Sequence, residues 1–165
     1  MKFSKKKLII PTQYNKFHIL IHWLVVLTIL LQMISGDKID SEFLAHRNDP
    51  ITNEEGTSNS QSHILGGLFI FLLMAIRVFL RIKFGVPVPT KETNSLMKLL
   101  SAFVHLGIYL VLFAIPLTGL VAFLTLNVDL GIAHKVLVNI LYVFVIIHLT
   151  GVAYHQIFLG HIMQR

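Results

Sequence analysis

The sequence predicts an all-α fold, a transmembrane four-helix bundle with both termini on the cytoplasmic side. Of the 165 residues, 55% are hydrophobic and 13% are charged, whereas soluble proteins contain about 25% charged residues. The mean hydropathy is +0.73. Four apolar runs each reach the roughly 20 residues that cross a hydrocarbon core about 30 Å thick. We expect residues 1–165 to form a single integral-membrane domain.

The first span is predicted over residues 17–35, after a short basic segment. A basic start before an apolar run is also typical of a cleaved signal peptide. This run is long for such a peptide, contains His22-Trp23 and is followed by no A-x-A cleavage site. We therefore expect it to be retained as a transmembrane helix.

A polar loop over residues 36–61, with at most a short surface helix, is predicted to precede the second span at 62–83, with Ser62 as its N-cap. Pro87 and Pro89 are predicted to end the helix of this second span. The remaining elements follow in chain order: a third span at 96–126 with a kink at Pro116, a tight turn at Asn127–Gly131, and a fourth span at 132–158.

The basic residues give the bundle its predicted orientation. Eleven of the fourteen Lys and Arg residues lie at the N-terminus, around the second-to-third connection or at the C-terminus. Seven of the eight acidic residues lie in the other two connections, with only Lys38, Arg47 and Lys135 as basic residues there. Because cytoplasmic loops carry the excess of Lys and Arg, both termini and the proline connection are predicted to be cytoplasmic.

The composition also excludes several functions. The chain has no cysteine, which excludes disulfides, iron–sulfur clusters and haem attached covalently through C-x-x-C-H. The net charge of +6 lies at the ends of the spans, so it does not indicate binding to nucleic acid. Nine histidines are many for so apolar a chain, and ionisable groups inside a membrane indicate function.

Two histidines of the last span share one helix face. His134 and His148 are fourteen residues apart, which amounts to about 40° less than four full turns and about 21 Å along the axis. His63 opens the second span on the outer side, at the depth of His134, while His22 lies near the inner side, at the depth of His148. Side chains on facing helices commonly bind cofactors in bundles. The spacing therefore predicts two haems, ligated by His63 with His134 and by His22 with His148.

Neighbouring residues fit a flat macrocycle, although each has an ordinary alternative. Gly66 and Gly67 lie one turn from His63, and Gly151 lies one turn from His148. They leave space for a porphyrin or simply permit close helix packing. Arg77 lies at the inner depth, where it could neutralise a haem propionate or act as an interfacial arginine.

The other histidines are weaker candidates. His46 and His161 are expected to be structural, and His18 and His155 are rivals displaced toward the ends of the spans. His105, early in the third span, matches the depth of the inner pair, and periodicity does not exclude it.

Taken together, these motifs resemble the bacterial cytochrome b561 family over about residues 15–160. The resemblance is carried by His22-Trp23, His63-x-x-Gly-Gly, Met74-Ala-Ile-Arg77-Val-Phe-Leu-Arg81-Ile-Lys83, Ala114-Ile-Pro116-Leu-Thr-Gly119 and the pattern of His134, His148 and His155. It implies a dihaem b cytochrome of the bacterial inner membrane that exchanges electrons with ubiquinone. It also implies that His22, His63, His134 and His148 are the axial ligands and that His105 is not one.

Some members of the family are assigned as superoxide:ubiquinone oxidoreductases, so the resemblance also implies superoxide oxidation as an alternative function. Collection of an anion requires an electropositive surface, but the outer connections of this chain are acidic. We therefore rank a general electron carrier, with membrane lipid and ubiquinone as partners and a redox protein as a candidate donor on the outer side, above superoxide oxidation. A histidine-based transporter or proton relay is disfavoured, because no span carries an acidic residue at mid-depth.

Overall fold

The computed structural model describes residues 15–36, 39–48, 57–85 and 95–159. Apart from Asn15, Gly85, Leu126 and Asn127, every one of these residues lies in an α-helix. The helices are α1 (Lys16–Gly36), α2 (Ile39–Asn48), α3 (Thr57–Phe84), α4 (Ser95–Thr125) and α5 (Val128–Leu159).

Four of these helices, α1, α3, α4 and α5, are long and apolar enough to cross a membrane, which confirms the predicted all-α fold with four spans. Large apolar side chains point away from the protein along all of them. Ile34, Ile82 and Ile157 are 78%, 79% and 75% exposed. Contiguous apolar surface of this kind is rare on soluble monomers, so this surface faces lipid.

The long helices pack in the order α1, α3, α4, α5. Helix α3 packs against α1 and α4, and α5 packs along α4. In the described part of the chain, α5 makes no extensive backbone approach to α1 or α3. The buried core lies between the helices at mid-length, and its most buried large side chain is Met74, which is 1% exposed. Buried side chains from all four long helices nevertheless form one core cluster, which includes Ile21, Ile70, Val111 and Leu141.

Helix α3 begins earlier than the sequence predicted. Its first residue is Thr57 rather than Ser62, so the prediction of Ser62 as the N-cap is wrong. The backbone N–H and the hydroxyl of Ser60 donate to Oε2 of Glu42, at 3.0 and 2.7 Å. A carboxylate at a helix N-terminus satisfies free N–H groups and complements the helix dipole. Helix α2, which lies within the predicted polar loop, thus stabilises an additional polar turn of α3.

Helix α5 also begins before its predicted start. Leu126 adopts a left-handed conformation with φ of 51°, and the N–H of Asn127 donates to the carbonyl of Ala122 at 3.1 Å, which together form a Schellman end for α4. Asn127 then caps α5, because its Oδ1 accepts from the N–H of Leu130 at 3.1 Å. The connection is therefore shorter than the predicted turn over Asn127–Gly131.

The remaining predicted loops lie mostly outside the described residues. Gly85, with φ of 72°, donates its N–H to the carbonyl of Arg81 at 3.0 Å, and this left-handed cap ends α3. Pro87 and Pro89, the basic segment before residue 15 and residues 160–165 lie beyond the described ranges. Helix α4 runs through Pro116.

The orientation of the bundle is our first testable prediction. Single cysteines replacing Lys5 and Thr90 should face the cytoplasm, and one replacing Asn53 should face outward, because the basic residues are concentrated on one side. The chain has no native cysteine, so the unmodified protein is a clean blank. In spheroplasts, a membrane-impermeant maleimide should label only the Asn53→Cys variant. Labelling of all three variants from the same side would contradict this orientation.

Candidate functional site

We name the two ends of the bundle outer and inner after the predicted orientation. The outer site is formed by His63 on α3 and His134 on α5. Their ring centres are 6.3 Å apart, and the ring planes are inclined at 71°. The two helices contribute no extensive contact to each other, so the histidine pair is a specific meeting point across the bundle. It is the outer pair that the sequence predicted.

The spacing of this pair fits two imidazoles on opposite sides of one iron. A bond from a metal to an imidazole nitrogen is about 2 Å long, and the ring centre lies roughly 1 Å beyond the nitrogen, so two such rings have centres roughly 6 Å apart. A porphyrin requires both rings to stand upright on its plane, whereas the angle between the rings can vary. The observed 6.3 Å and 71° therefore suit haem iron held by two histidines.

The hydrogen bonds of both rings also suit this role. Nδ1 of His134 donates to the carbonyl of Ile115 at 2.9 Å, and Nδ1 of His63 lies 3.2 Å from Oγ of Ser35. A histidine that binds a metal through one nitrogen usually engages the other nitrogen in such a bond. With Nδ1 engaged in each ring, Nε2 is the nitrogen that would bind iron.

A glycine of α4 gives His134 the space for its hydrogen bond. A Cβ at position 119 would lie 2.9 Å from both Cε1 and Nδ1 of His134, which is closer than side chains normally approach. Gly119 therefore allows the ring to reach the carbonyl of Ile115. The sequence placed Gly119 in a motif but did not connect it with the histidine.

The three glycines predicted to lie beside the macrocycle have different surroundings. A Cβ at Gly66 would collide with the side-chain amide of Gln32, and one at Gly67 would lie 3.8 Å from Cβ of Pro116. Among the described residues, no atom lies within 4 Å of the Cβ position of Gly151. Gly66 therefore makes room for Gln32, and Gly67 permits ordinary packing between α3 and α4. Gly151 contacts no other helix in the described part of the chain.

The inner site contains His22 on α1, which contacts Arg77 on α3. One guanidinium nitrogen of Arg77 donates to Nδ1 of His22, and Nε donates to the hydroxyl of Tyr109 at 3.1 Å. The guanidinium groups of Arg77 and Arg81 lie 5.8 and 5.9 Å from the centre of the Tyr109 ring. Tyr109 thus holds two cations at the inner end, a site suited to an anionic group.

The hydrogen bond from Arg77 determines the tautomer of His22. Arginine can only donate, so Nδ1 of His22 is an acceptor and the ring proton is on Nε2. Ligation of iron through Nε2 needs the opposite tautomer, so it requires Arg77 to leave Nδ1. The imidazoles at the inner site are suitable ligands for haem iron, but their arrangement fits a haem less closely than that of the outer pair.

His148 on α5 contacts His105 on α4. Their ring centres are 5.0 Å apart with the planes inclined at 87°, and Nδ1 of His105 donates to the carbonyl of Ser101 at 2.6 Å. The ring contact of His22 is with Trp23, so in the described structure His22 does not stack on His148. It is nevertheless close enough to interact electrostatically with His148 and His105.

The remaining histidines divide into one buried residue and three whose side chains the structure does not describe. His18 is 6% exposed and lies within electrostatic range of Arg77 and Arg81, so it is part of the inner cluster. The side chains of His46 and His155 and the whole of His161 fall outside the described structure. The sequence analysis did not identify Gln32, Ser35 or Tyr109, which act through other residues and lie in no motif of their own.

Comparison with known families agrees with this architecture. Residues 13–164 match the model of the prokaryotic cytochrome b561 family, a stretch that includes all four long helices and every histidine. This match and the four helices that could span a membrane identify a multi-pass protein of the bacterial inner membrane and imply binding of b-type haem. The chain belongs to the prokaryotic cytochrome b561 family.

Proposed function

We propose that this protein is a membrane electron carrier with two b-type haems, one near each side of the bilayer. Membership of the family supports haem b and membrane electron transfer. The number of haems and the choice of ligands rest on this chain's own histidines. The observation that carries the proposal is the outer pair, His63 and His134, whose ring centres are 6.3 Å apart.

The inner haem is assigned to His22 and His148. His148 lies about 21 Å along α5 from His134, and His22 contacts Arg77, which is fourteen residues after His63 on α3. Arg77 lies beside His22 and is the cation available to pair with a haem propionate. Movement of Arg77 from Nδ1 of His22 to a propionate would also permit the tautomer of His22 that ligation needs. His105 contacts His148 and acts as its neighbour rather than as a ligand.

The haems would carry the electron, and the side chains of this chain would bind them and set their potentials. When bound, haem iron supplies a reversible one-electron change, and axial ligands, hydrogen bonds and burial determine its potential. Ligation by two histidines would occupy both axial positions of an iron, which disfavours oxygen chemistry at the metal. Held by His63 with His134 and by His22 with His148, two haems would provide a route for single electrons across the membrane, with ubiquinone as the proposed partner at the depth of the lipid.

Among donors, a small reductant or a redox protein on the outer side suits this chain better than superoxide. The connection between α4 and α5 is only Leu126 and Asn127, which leaves little loop to form a substrate site. Glu42 and Asp129 are at the outer side, and the outer connections hold seven of the eight acidic residues. Superoxide is an anion, and a surface of the same sign slows its approach.

The test of this proposal is the haem content. Protein purified from membranes should contain two protohaems per chain, released by acidic acetone because no cysteine is present to attach them. The ratio is the haem concentration from a pyridine haemochrome assay divided by the protein concentration from quantitative amino-acid analysis. One haem per chain would overturn the two-site assignment, and none would overturn the electron-carrier function as well.

A further inference from the structure

The outer end of α1 holds His63 at two points, although α1 supplies no ligand to the outer site. Nε2 of Gln32 donates to the backbone carbonyl of His63 at 2.8 Å. Oγ of Ser35, one turn further along α1, lies 3.2 Å from Nδ1 of the His63 ring. The backbone and the ring of this histidine are therefore both held by the neighbouring helix.

The contacts of Ser35 match the tautomer of His63 that ligation of iron requires. If His63 binds iron through Nε2, Nδ1 carries the ring proton and donates it to Oγ of Ser35, 3.2 Å away. The hydroxyl of Ser35 keeps its own proton for the carbonyl of Gln32, which also lies 3.2 Å from Oγ.

The side-chain amide of Gln32 holds the backbone of His63 although one of its own polar atoms has no partner in the described part of the chain. Its Oε1 is buried and has no partner among the described residues, and a buried carbonyl without a donor is unfavourable. The amide lies directly over Gly66, where any Cβ would collide with it. The buried amide of Gln32 is therefore unfavourable for stability at its Oε1, while its Nε2 bonds to the carbonyl of His63.

From these contacts we infer that Gln32 and Ser35 form a clamp that positions His63 and fixes its tautomer, with Gly66 as the space into which Gln32 fits. The inference rests on the proposed role of His63 as an iron ligand. A hydrogen-bond acceptor on the second nitrogen makes a ligating histidine more basic. The clamp therefore favours ferric iron and lowers the potential of the outer haem. Loss of such partners typically weakens a metal site by about 10-fold to 100-fold.

The decisive variant is Ser35→Ala, measured by redox titration of the α band in the full-length protein. We expect the potential of the outer component to rise, the inner component to keep its potential, and haem transfer from the outer site to an excess of a haem-scavenging protein to accelerate by about 10-fold or more. Ser35→Thr retains the hydroxyl and should behave like the wild type. An unchanged or lowered outer potential in Ser35→Ala would overturn the clamp.

A matched control separates the ring contact from general effects of a missing hydroxyl. Oγ1 of Thr28, also on α1, donates to the carbonyl of Leu24 at 2.8 Å, so Thr28 likewise bonds to the preceding turn of α1 but has no histidine partner among the described residues. Thr28→Val should leave both potentials unchanged, and a shift equal to that of Ser35→Ala would overturn the inference. If Ser35→Ala loses the outer haem altogether, retention of that haem by Ser35→Thr supports the clamp, whereas its loss from both variants overturns it.

The role of Gly66 is tested by a double-mutant cycle. Gln32→Leu removes the donor to the carbonyl of His63, and Gly66→Ala displaces the same amide by occupying its space. Both variants should accelerate loss of the outer haem, and the double variant should do so no more than the stronger single variant, since both break one contact. Fully additive effects would show that Gly66 and Gln32 act independently.

Titration of His63→Ala distinguishes failure of the clamp from failure of the proposed function. If His63→Ala retains both redox components, the ligand assignment is wrong and the clamp is overturned with it. If His63→Ala loses the outer component while Ser35→Ala leaves that component unshifted, the ligand assignment stands and the clamp alone is wrong.

Discussion

Replacement of His63 or of His134 with alanine is expected to remove the same spectral component and to halve the haem content of the purified protein. The two rings have centres 6.3 Å apart, the spacing of two imidazoles on one iron, so either substitution removes one of the two proposed ligands of the same haem. Loss of a metal ligand is among the substitutions with the largest effects. Reduced-minus-oxidised spectra at low temperature and the haemochrome ratio measure the two quantities.

The outer-pair prediction has a matched histidine control. His46 lies in the outer connection and is not proposed as a ligand, so His46→Ala should retain both components. Elution of each variant as a monodisperse peak shows whether the bundle has folded. If His63→Ala and His134→Ala remove different components, or if His63→Ala removes the component lost in His22→Ala, the pairing is wrong.

The proximity of His63 and His134 was predictable from the sequence because the two residues lie at one depth. His63 and His134 each lie near the N-terminal end of a helix that starts on the same side of the membrane. Counting residues from the ends of the apolar runs therefore places them at one level. Among the candidate ligands, only these two histidines were predicted to lie at that depth, so depth was sufficient to predict that they lie near each other.

The inner set could not be resolved in the same way. His22, His105 and His148 lie at similar depths on three helices, and depth does not give the position of a residue around the bundle axis. The contact between His105 and His148 and the hydrogen bond between Arg77 and His22 depend on how the helices are rotated. No periodicity within one helix determines the rotation of its neighbour.

The predicted first residues of α3 and α5 lie too far along the chain for a related reason. Hydropathy follows the apolar part of a helix, whereas α3 and α5 begin with polar turns stabilised by Glu42 and Asn127. Glu42 is eighteen residues from Ser60 and belongs to another helix, so no local capping rule includes it. Asn127 was predicted to start the turn, but it also caps α5.

Replacement of His22 or of His148 with alanine is expected to remove the inner component, while His105→Ala should leave both sites six-coordinate. The structure makes this the sharper of the two pairings to test, because His105 has a ligand-competent tautomer and lies beside His148. The separation of these two ring centres is 5.0 Å, shorter than the roughly 6 Å that an iron between them requires. His105 and His148 therefore touch directly, and the second ligand must come from another helix.

His22 is the candidate iron ligand that α1 supplies at this depth, and ligation requires Arg77 to leave Nδ1 of His22. If Arg77 leaves Nδ1 of His22 when haem binds, Arg77→Gln should retain the inner haem but lower its potential, since a cation near the haem favours the reduced state. Low-spin ferric signals in electron paramagnetic resonance report the number of six-coordinate haems in each variant. A five-coordinate or absent haem in His105→Ala, with both haems six-coordinate in His22→Ala, would transfer the ligand role from α1 to α4. Two six-coordinate haems in His105→Ala, and only one in each of His22→Ala and His148→Ala, would establish that α1 and α5 hold the inner iron between them.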